Sequence, residues 1–241
     1  MKAIILAAGR GSRMKSLTDD RPKCLVEFRG KTLLQWQIDA LHEADVREIA
    51  IVRGYRGELL EPYRLTTFEN LRWAETNMVS SLACAAKWLR EEPCIVSYSD
   101  LFYKGGAVRQ LLGCDADLAL TYDPNWLEIW QKRFANPLDD AETFRIDANR
   151  RIVEIGKKPK TVEEVQGQYM GLLKLKPAAW AAIESLRATL EPRLCDRMDM
   201  TSTLQRLIEA NFPVFGVPVA SSWGEIDSDE DLAKQSGPAS P

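Results

Sequence analysis

Met1-Lys-Ala-Ile-Ile-Leu-Ala-Ala-Gly-Arg-Gly-Ser-Arg-Met14, with Arg21-Pro-Lys-Cys-Leu-Val-Glu27 close behind, opens the chain. An apolar run leads without a break into a loop of small residues carrying Gly9 and Gly11. Arg10, Arg13, Lys15, Arg21 and Lys23 follow. A buried strand that ends in backbone N–H groups and cations can hold phosphate. Each part has a plainer reading. Two glycines alone suit a tight turn, and a basic cluster alone suits a solvated loop. Their position directly after a buried strand favours the phosphate reading.

Outward from this stretch, the pattern alternates. Lys2–Ala7, Glu48–Val52, Asn70–Trp73, Pro93–Tyr98 and Leu118–Tyr122 read as strands. Thr32–Ala44, Ser80–Arg90 and Ala107–Leu112 read as helices, the first with Leu33, Leu34, Ile38 and Leu41 on one face. Alternation of this kind implies an α/β fold with a mostly parallel sheet covered on both sides. Ligands in such sheets gather beyond the carboxyl ends of the strands, where the Gly9–Arg13 loop and Ser99-Asp100 both fall. From about Asp123 the pattern loosens. It reads as a helix over Asn125–Arg133, a hairpin over Thr143–Ile146 and Arg151–Ile155, a strand over Gln168–Lys174 and a helix over Ala178–Arg187. A helix over Met200–Ala210, capped by Thr201 or a neighbour, and a strand over Val214–Pro218 complete the reading. The chain is expected to form one domain over 1–234, with an acceptor-binding lobe at about 123–200 and a flexible tail at 235–241.

Composition narrows the classes. The 241 residues carry 45% apolar and 28% charged side chains and a net charge of −3, which gives no basis for nucleic-acid binding. No apolar run approaches the ~20 residues of a membrane span, and the protein is read as cytoplasmic. Five scattered cysteines without a Cys-x-x-Cys pair, and His42 as the only histidine, argue against a disulfide framework and a structural zinc site. The Walker A string is absent. Gly9-Arg-Gly11-Ser-Arg-Met14 lacks the third glycine of the dinucleotide fingerprint.

What the string does resemble is the signature of sugar-phosphate-type nucleotidyltransferases, Leu-Ala-Ala/Gly-Gly-x-Gly-x-Arg-Leu and Pro-Lys-x-Leu/Met. Leu6-Ala-Ala-Gly-Arg-Gly-Ser-Arg-Met14 and Pro22-Lys-Cys-Leu25 match it, Met14 standing where Leu is commoner. The resemblance implies a Rossmann-like, GT-A-like three-layer fold. It places the nucleotide against Leu6, Ala7, Ala8, Gly9, Gly11 and Ser12, with Arg13 and Lys23 as the catalytic cations. It also implies magnesium, held by Asp100 and by Asp227 of Trp223-Gly-Glu-Ile-Asp227, with Glu225 a weaker candidate. Two carboxylates and triphosphate oxygens suffice for Mg2+. Asp227 also stands where a helix cap would.

Glu75-Thr-Asn-Met-Val-Ser-Ser-Leu82 is similar to the base-contacting segment of the cytidylyltransferase branch, which includes phosphocholine and phosphonate enzymes. Thr76, Asn77, Ser80 and Ser81 thereby become candidates for the nucleotide, and the same side chains suit a helix N-cap. Trp126–Glu142, Gln168–Leu173 and Met200-Thr-Ser extend the resemblance to enzymes that activate phosphonates or phospho-L-glutamine for surface glycans. Trp126, Trp130, Arg133, Tyr169 and Trp223 are the candidate acceptor residues, although Trp126 and Trp130, four apart, also suit an apolar helix face. Lys157, with Lys158 as its alternative, matches the lysine that contacts the acceptor phosphate. The expectation is an enzyme that couples CMP from CTP to a small anionic acceptor and releases pyrophosphate. The alternatives are a sugar-1-phosphate enzyme using another NTP and a nucleotide-sensing domain. A homodimer is left open.

Overall fold

The computed structural model describes residues 1–219 and 222–235. The side chains of Arg13, Lys15, Ser16, Lys132, Lys234 and Gln235 are not described, and the expected tail from Ser236 onward lies outside the described residues. In chain order the strands and helices are β1 (Lys2–Ala7), β2 (Glu27–Phe28), β3 (Lys31–Thr32), α1 (Leu33–Glu43), β4 (Glu48–Arg53), β5 (Thr66–Glu69), α2 (Met78–Ala83) and α3 (Ala86–Glu91). They continue as β6 (Cys94–Tyr98), β7 (Leu101–Tyr103), α4 (Gly105–Leu112), β8 (Leu118–Asp123), α5 (Trp126–Arg133), β9 (Phe144–Ile146), β10 (Ile152–Ile155) and β11 (Gln168–Leu175). The last are α6 (Pro177–Ala188), α7 (Pro192–Asp196), α8 (Met200–Glu209), β12 (Phe215–Pro218), β13 (Trp223–Glu225) and α9 (Asp229–Gln235).

Seven strands form the central sheet in the order β12-β8-β11-β6-β1-β4-β5. All neighbours are parallel except β11, which runs antiparallel to both β6 and β8. Side chains alternate across β1. Ala3, Ile5 and Ala7 face Leu34, Ile38, Val108, Leu111, Trp126 and Trp130 on α1, α4 and α5. Ile4, Leu6 and Ala8 face the opposite layer, where Val79, Leu82, Leu89, Trp180, Ile183 and Leu204 of α2, α3, α6 and α8 pack. The result is the expected three-layer α/β fold. Among the described residues no helix is long and apolar enough to cross a membrane.

Local chemistry explains the element boundaries. Thr32 caps α1, its hydroxyl accepting from Gln35 N at 3.1 Å. Asp199, rather than Thr201, caps α8 by accepting from Ser202 N at 2.7 Å. The single helix expected over Ser80–Arg90 is two. Asn77 starts α2 earlier, and tight turns at Cys84 and Ala85 separate it from α3. The strand expected at Asn70–Trp73 lies just before it, as β5. Asn70 instead makes a turn, its side-chain oxygen accepting from Arg72 N at 3.0 Å.

The largest difference concerns the segment expected as the lobe. Gln168–Leu175 is not part of a separate lobe; it is β11, inserted between β8 and β6 in the middle of the sheet. Its near-continuous apolar run, Met170-Gly-Leu-Leu-Lys-Leu175, is that of a strand covered on both faces. α6 and α8 likewise pack on the sheet. Between β8 and β11, residues 124–167 hold α5, which packs on the sheet through Trp126 and Trp130, and the separate β9–β10 hairpin with its turns.

Candidate active site

The phosphate-type loop lies at the carboxyl end of β1, beside the ends of its parallel neighbours β4 and β6. Close backbone packing shapes it. Ala8 O accepts from Tyr55 N at 2.9 Å, and a Cβ at Gly54 would sit 2.6 Å from that same oxygen and 2.7 Å from Trp73. Gly11 adopts φ +72°, and a Cβ there would meet Lys23 Cβ at 2.9 Å. A short 3-10 helix, Ser12–Thr18, follows, with Thr18 Oγ1 donating to Gly11 O at 3.1 Å. The Arg13 side chain, expected to serve the triphosphate, lies outside the described residues. Arg10 pairs with Asp19 at 2.6 Å and Arg21 with Asp20 at 2.9 Å, both on the surface. Lys23 alone of the described cations in this cluster is buried, at 7% exposure.

Lys23 connects the ends of the chain. Its Nζ donates to Asp100 Oδ2 at 2.9 Å and also to Asp227 Oδ1. The two carboxylates meet because β7 starts immediately after Asp100 and β13 ends just before Asp227. These strands pair antiparallel, and Ile226 N donates to Asp100 O at 3.0 Å. Burial works to lower the Lys23 pKa, but the charges of Asp100 and Asp227 outweigh it and hold the group above its ordinary value. Asp100 Oδ1 is buried with no hydrogen-bond partner among the described residues.

Beside this triad is a cavity of about 220 Å³. It brings together Leu6, Ala8, Gly9, Gly11, Lys23, Thr76, Asn77, Ser81 and Asp100 of the expected nucleotide residues. Trp73, Met78, Tyr98 and Ser99 also line it and were not singled out as nucleotide residues, although Met78 lies within the Glu75–Leu82 segment. Tyr98 and Ser99 sit within the strand-end segment that carries Asp100, which was the available signal. Trp73 carries no motif. Ala7 faces the opposite layer, Ser12 is exposed at the start of its 3-10 helix, and Ser80 points away. Ser80 Oγ donates to Cys195 O at 3.3 Å and accepts from Arg187 at 3.4 Å, because α2 packs one face against the segment around α7.

Residues 3–190 match the family described as the MobA-like NTP transferase domain. The chain belongs to this family. It is a nucleotidyltransferase. Over 98% of its length and 99% of the relative's, it is 37% identical to the CTP:phosphoglutamine cytidylyltransferase of Campylobacter jejuni. It is 30% identical to the 2-aminoethylphosphonate cytidylyltransferase of Lancefieldella rimae, over 64% of this chain and 60% of that one. The structure of the inositol-1-phosphate CTP transferase from T. maritima shares the fold, with a TM-score of 0.76 and 20% identity over 100% of this chain and 98% of that one.

The residues expected to line this nucleotidyltransferase's acceptor pocket are mostly elsewhere. Trp126 and Trp130 are core residues at 3% and 1% exposure, packed edge to face. Trp126 Nε1 donates to Val165 O at 2.9 Å. Their four-residue spacing is that of an apolar helix face. Trp223 is buried too, its Nε1 donating to Asp123 Oδ2 at 2.7 Å. Arg133 is an internal clamp. It pairs with Glu225 at 2.7 Å and Asp231 at 2.9 Å and stacks over Trp130 and Phe134. Tyr169 stands behind the cavity, its hydroxyl 3.3 Å from that of Tyr98. Lys157 pairs with Glu154 at 3.0 Å on the surface, and Lys158 donates to the carbonyls of Leu138 and Asp139. Neither lysine lines the cavity.

Proposed function

We propose that this nucleotidyltransferase is a cytidylyltransferase. It transfers CMP from CTP to the phosphate of a small amino-acid-like acceptor of the phosphoglutamine type, releasing pyrophosphate. The observation that carries this reading is the buried Lys23, clamped between Asp100 and Asp227 at the edge of a cavity floored by small residues. The full-length likeness to a CTP:phosphoglutamine enzyme supports the choice of base and acceptor class.

In the reaction proposed, an acceptor phosphate oxygen attacks the α-phosphorus. A new O–P bond forms while the bond to the bridging oxygen breaks, and pyrophosphate leaves with that electron pair. The acceptor oxygen is already ionised near neutral pH, so no side-chain base is required. The chain must instead bring two anions together and offset the charge that builds on the leaving group. Small residues at Ala8, Gly9 and Gly11 let the backbone approach the nucleotide. Lys23, held charged by its partners, is placed to serve the transferring phosphate; Arg13 keeps the triphosphate role that the resemblance implies. Mg2+ fits the donors present. Asp100 offers a carboxylate oxygen without a partner, and Asp227 stands across Lys23 from it. Two carboxylates satisfy an ion that keeps phosphate and water ligands. When bound, the ion would supply positive charge to the triphosphate oxygens.

The test is pyrophosphate release with Mg2+ and each of the four NTPs, against phosphoglutamine, phosphocholine, 2-aminoethylphosphonate and glucose 1-phosphate. CTP with phosphoglutamine is expected to be the fastest pair. Faster turnover of UTP or another NTP with the sugar phosphate would replace the reading with a sugar-nucleotide enzyme. Nucleotide binding without turnover of any pair would leave a sensing domain.

A further inference from the structure

The geometry points to Asn70 as a positioning residue that turns the Ser81 hydroxyl so that its proton faces the base of the bound nucleotide. The inference rests on the reading above that the Leu6–Asp100 cavity holds a nucleotide.

Hydrogen-bond parity carries it. Asn70 is 5% exposed and Ser81 6%. Arg72 N, which can only donate, lies 3.0 Å from Asn70 Oδ1, and this fixes which end of the amide is oxygen. Asn70 Nδ2 therefore carries the two N–H groups. It donates them to Thr76 Oγ1 and Ser81 Oγ, each at 2.9 Å. Both hydroxyls must accept. Thr76 then spends its own proton on Arg72 O at 2.8 Å. The Ser81 proton has no acceptor among the hydrogen bonds of the described residues, and Ser81 lines the cavity. The neighbouring Asn77 side chain is already committed to Met78 N at 2.7 Å and Arg197 O at 3.4 Å. Ser81 is thus a directional donor at the cavity wall, and cytosine offers it acceptors at the O2 carbonyl and the ring N3.

The direction belongs to Asn70, not to Ser81. An aspartate at position 70 can only accept. It would take the Ser81 proton, leaving that hydroxyl to face the ligand with lone pairs. N70D is therefore expected to weaken CTP binding at least as much as S81A, which merely deletes the donor. Loss of one such bond corresponds to about tenfold in Kd. In the S81A background, N70D should cost less than it does alone, because Ser81, one of the two hydroxyls through which it acts, is gone and only Thr76 remains.

The experiment measures Kd by calorimetry for the Mg2+ complexes of CTP, UTP, ATP and GTP with wild type, S81A, N70D and the double variant, with melting curves as the check on folding. About tenfold weaker binding in S81A, an equal or larger loss in N70D and a loss in the double variant well short of the product of the two would support the inference. Wild-type affinity in S81A for the best-bound nucleotide would overturn it. So would losses that multiply in the double variant, which is how a purely structural Asn70 behaves. If N70D does not fold, S81A alone decides the donor. A wild type that binds another nucleotide best would overturn the CTP reading instead, and the Ser81 comparison would then be made on that nucleotide.

Discussion

Replacing Arg133 by methionine should destabilise this nucleotidyltransferase severely, although the residue lies on a helix read from the sequence as an acceptor site. The guanidinium is 6% exposed, and its carboxylate partners Glu225 and Asp231 are 19% and 9% exposed. At that depth solvent screens little. Methionine keeps most of the packing over Trp130 and Phe134, whose ring centroids lie 4.8 and 5.1 Å from the guanidinium carbon, but leaves two buried carboxylates without their cation. Breaking a buried pair from one side costs about 3–5 kcal/mol. For a chain of this size that is a fall of about 6–20 °C in Tm. The loss should also reach the site. Asp231 Oδ2 accepts from Asp227 N at 3.2 Å and from Ser228 Oγ at 2.9 Å, so an unclamped Asp231 loosens the turn that presents Asp227.

The pH dependence has a definite sign. Burial first, then the Asp227 charge, pushes the Glu225 carboxyl up to about 7, with Arg133 pulling the other way. Without Arg133 it rises further. The folded state then keeps a proton that the unfolded chain has released, so stability is lost as pH rises from about 4.5 through the folded value. The deficit of R133M should therefore be smaller at pH 5 than at pH 8, and R133M/E225Q should recover part of it at pH 8. Calorimetric melting at the two pH values reads both effects. A variant melting within about 2 °C of wild type at pH 8, where the charge penalty is largest, would refute the buried-clamp argument.

Asp100→Ala should abolish pyrophosphate release, because it removes the carboxylate that carries the partnerless oxygen, while melting within a few degrees of wild type. Retained turnover would remove Asp100 from the site. Gly11→Ala should lower nucleotide affinity in calorimetry, since φ +72° costs an L-residue roughly 1–2 kcal/mol and the new methyl meets the Lys23 stem. Cys24 and Cys94 should resist iodoacetamide in the native protein at pH 8, because burial pushes both thiols up to about 12. Peptide mass spectrometry should find them modified only after denaturation.

What the sequence disclosed and what it hid divide along physical lines. β1, α1, β4 and β6 were legible because a long apolar run or a 3.6-residue stripe repeats often enough to be read. So was the position of Gly11 and Lys23, since a phosphate loop needs small residues and cations close together in sequence. β7 and β13 were not legible. Three residues carry no period, and each strand exists only because the other, 120 to 124 residues away along the chain, pairs with it. Yet this hidden pairing is what sets Asp227 opposite Asp100. Arg133 and the three tryptophans were ambiguous for the opposite reason. Aromatics and a cation near a suspected pocket look the same in sequence whether they face a ligand or each other. Only depth separates the cases, and depth is a property of the fold. Asn70 is the subtler instance. As a turn-former it is unremarked in the sequence, and its bearing on the nucleotide appears only when each proton of the Asn70–Thr76–Ser81 network is assigned to an acceptor and one is left over.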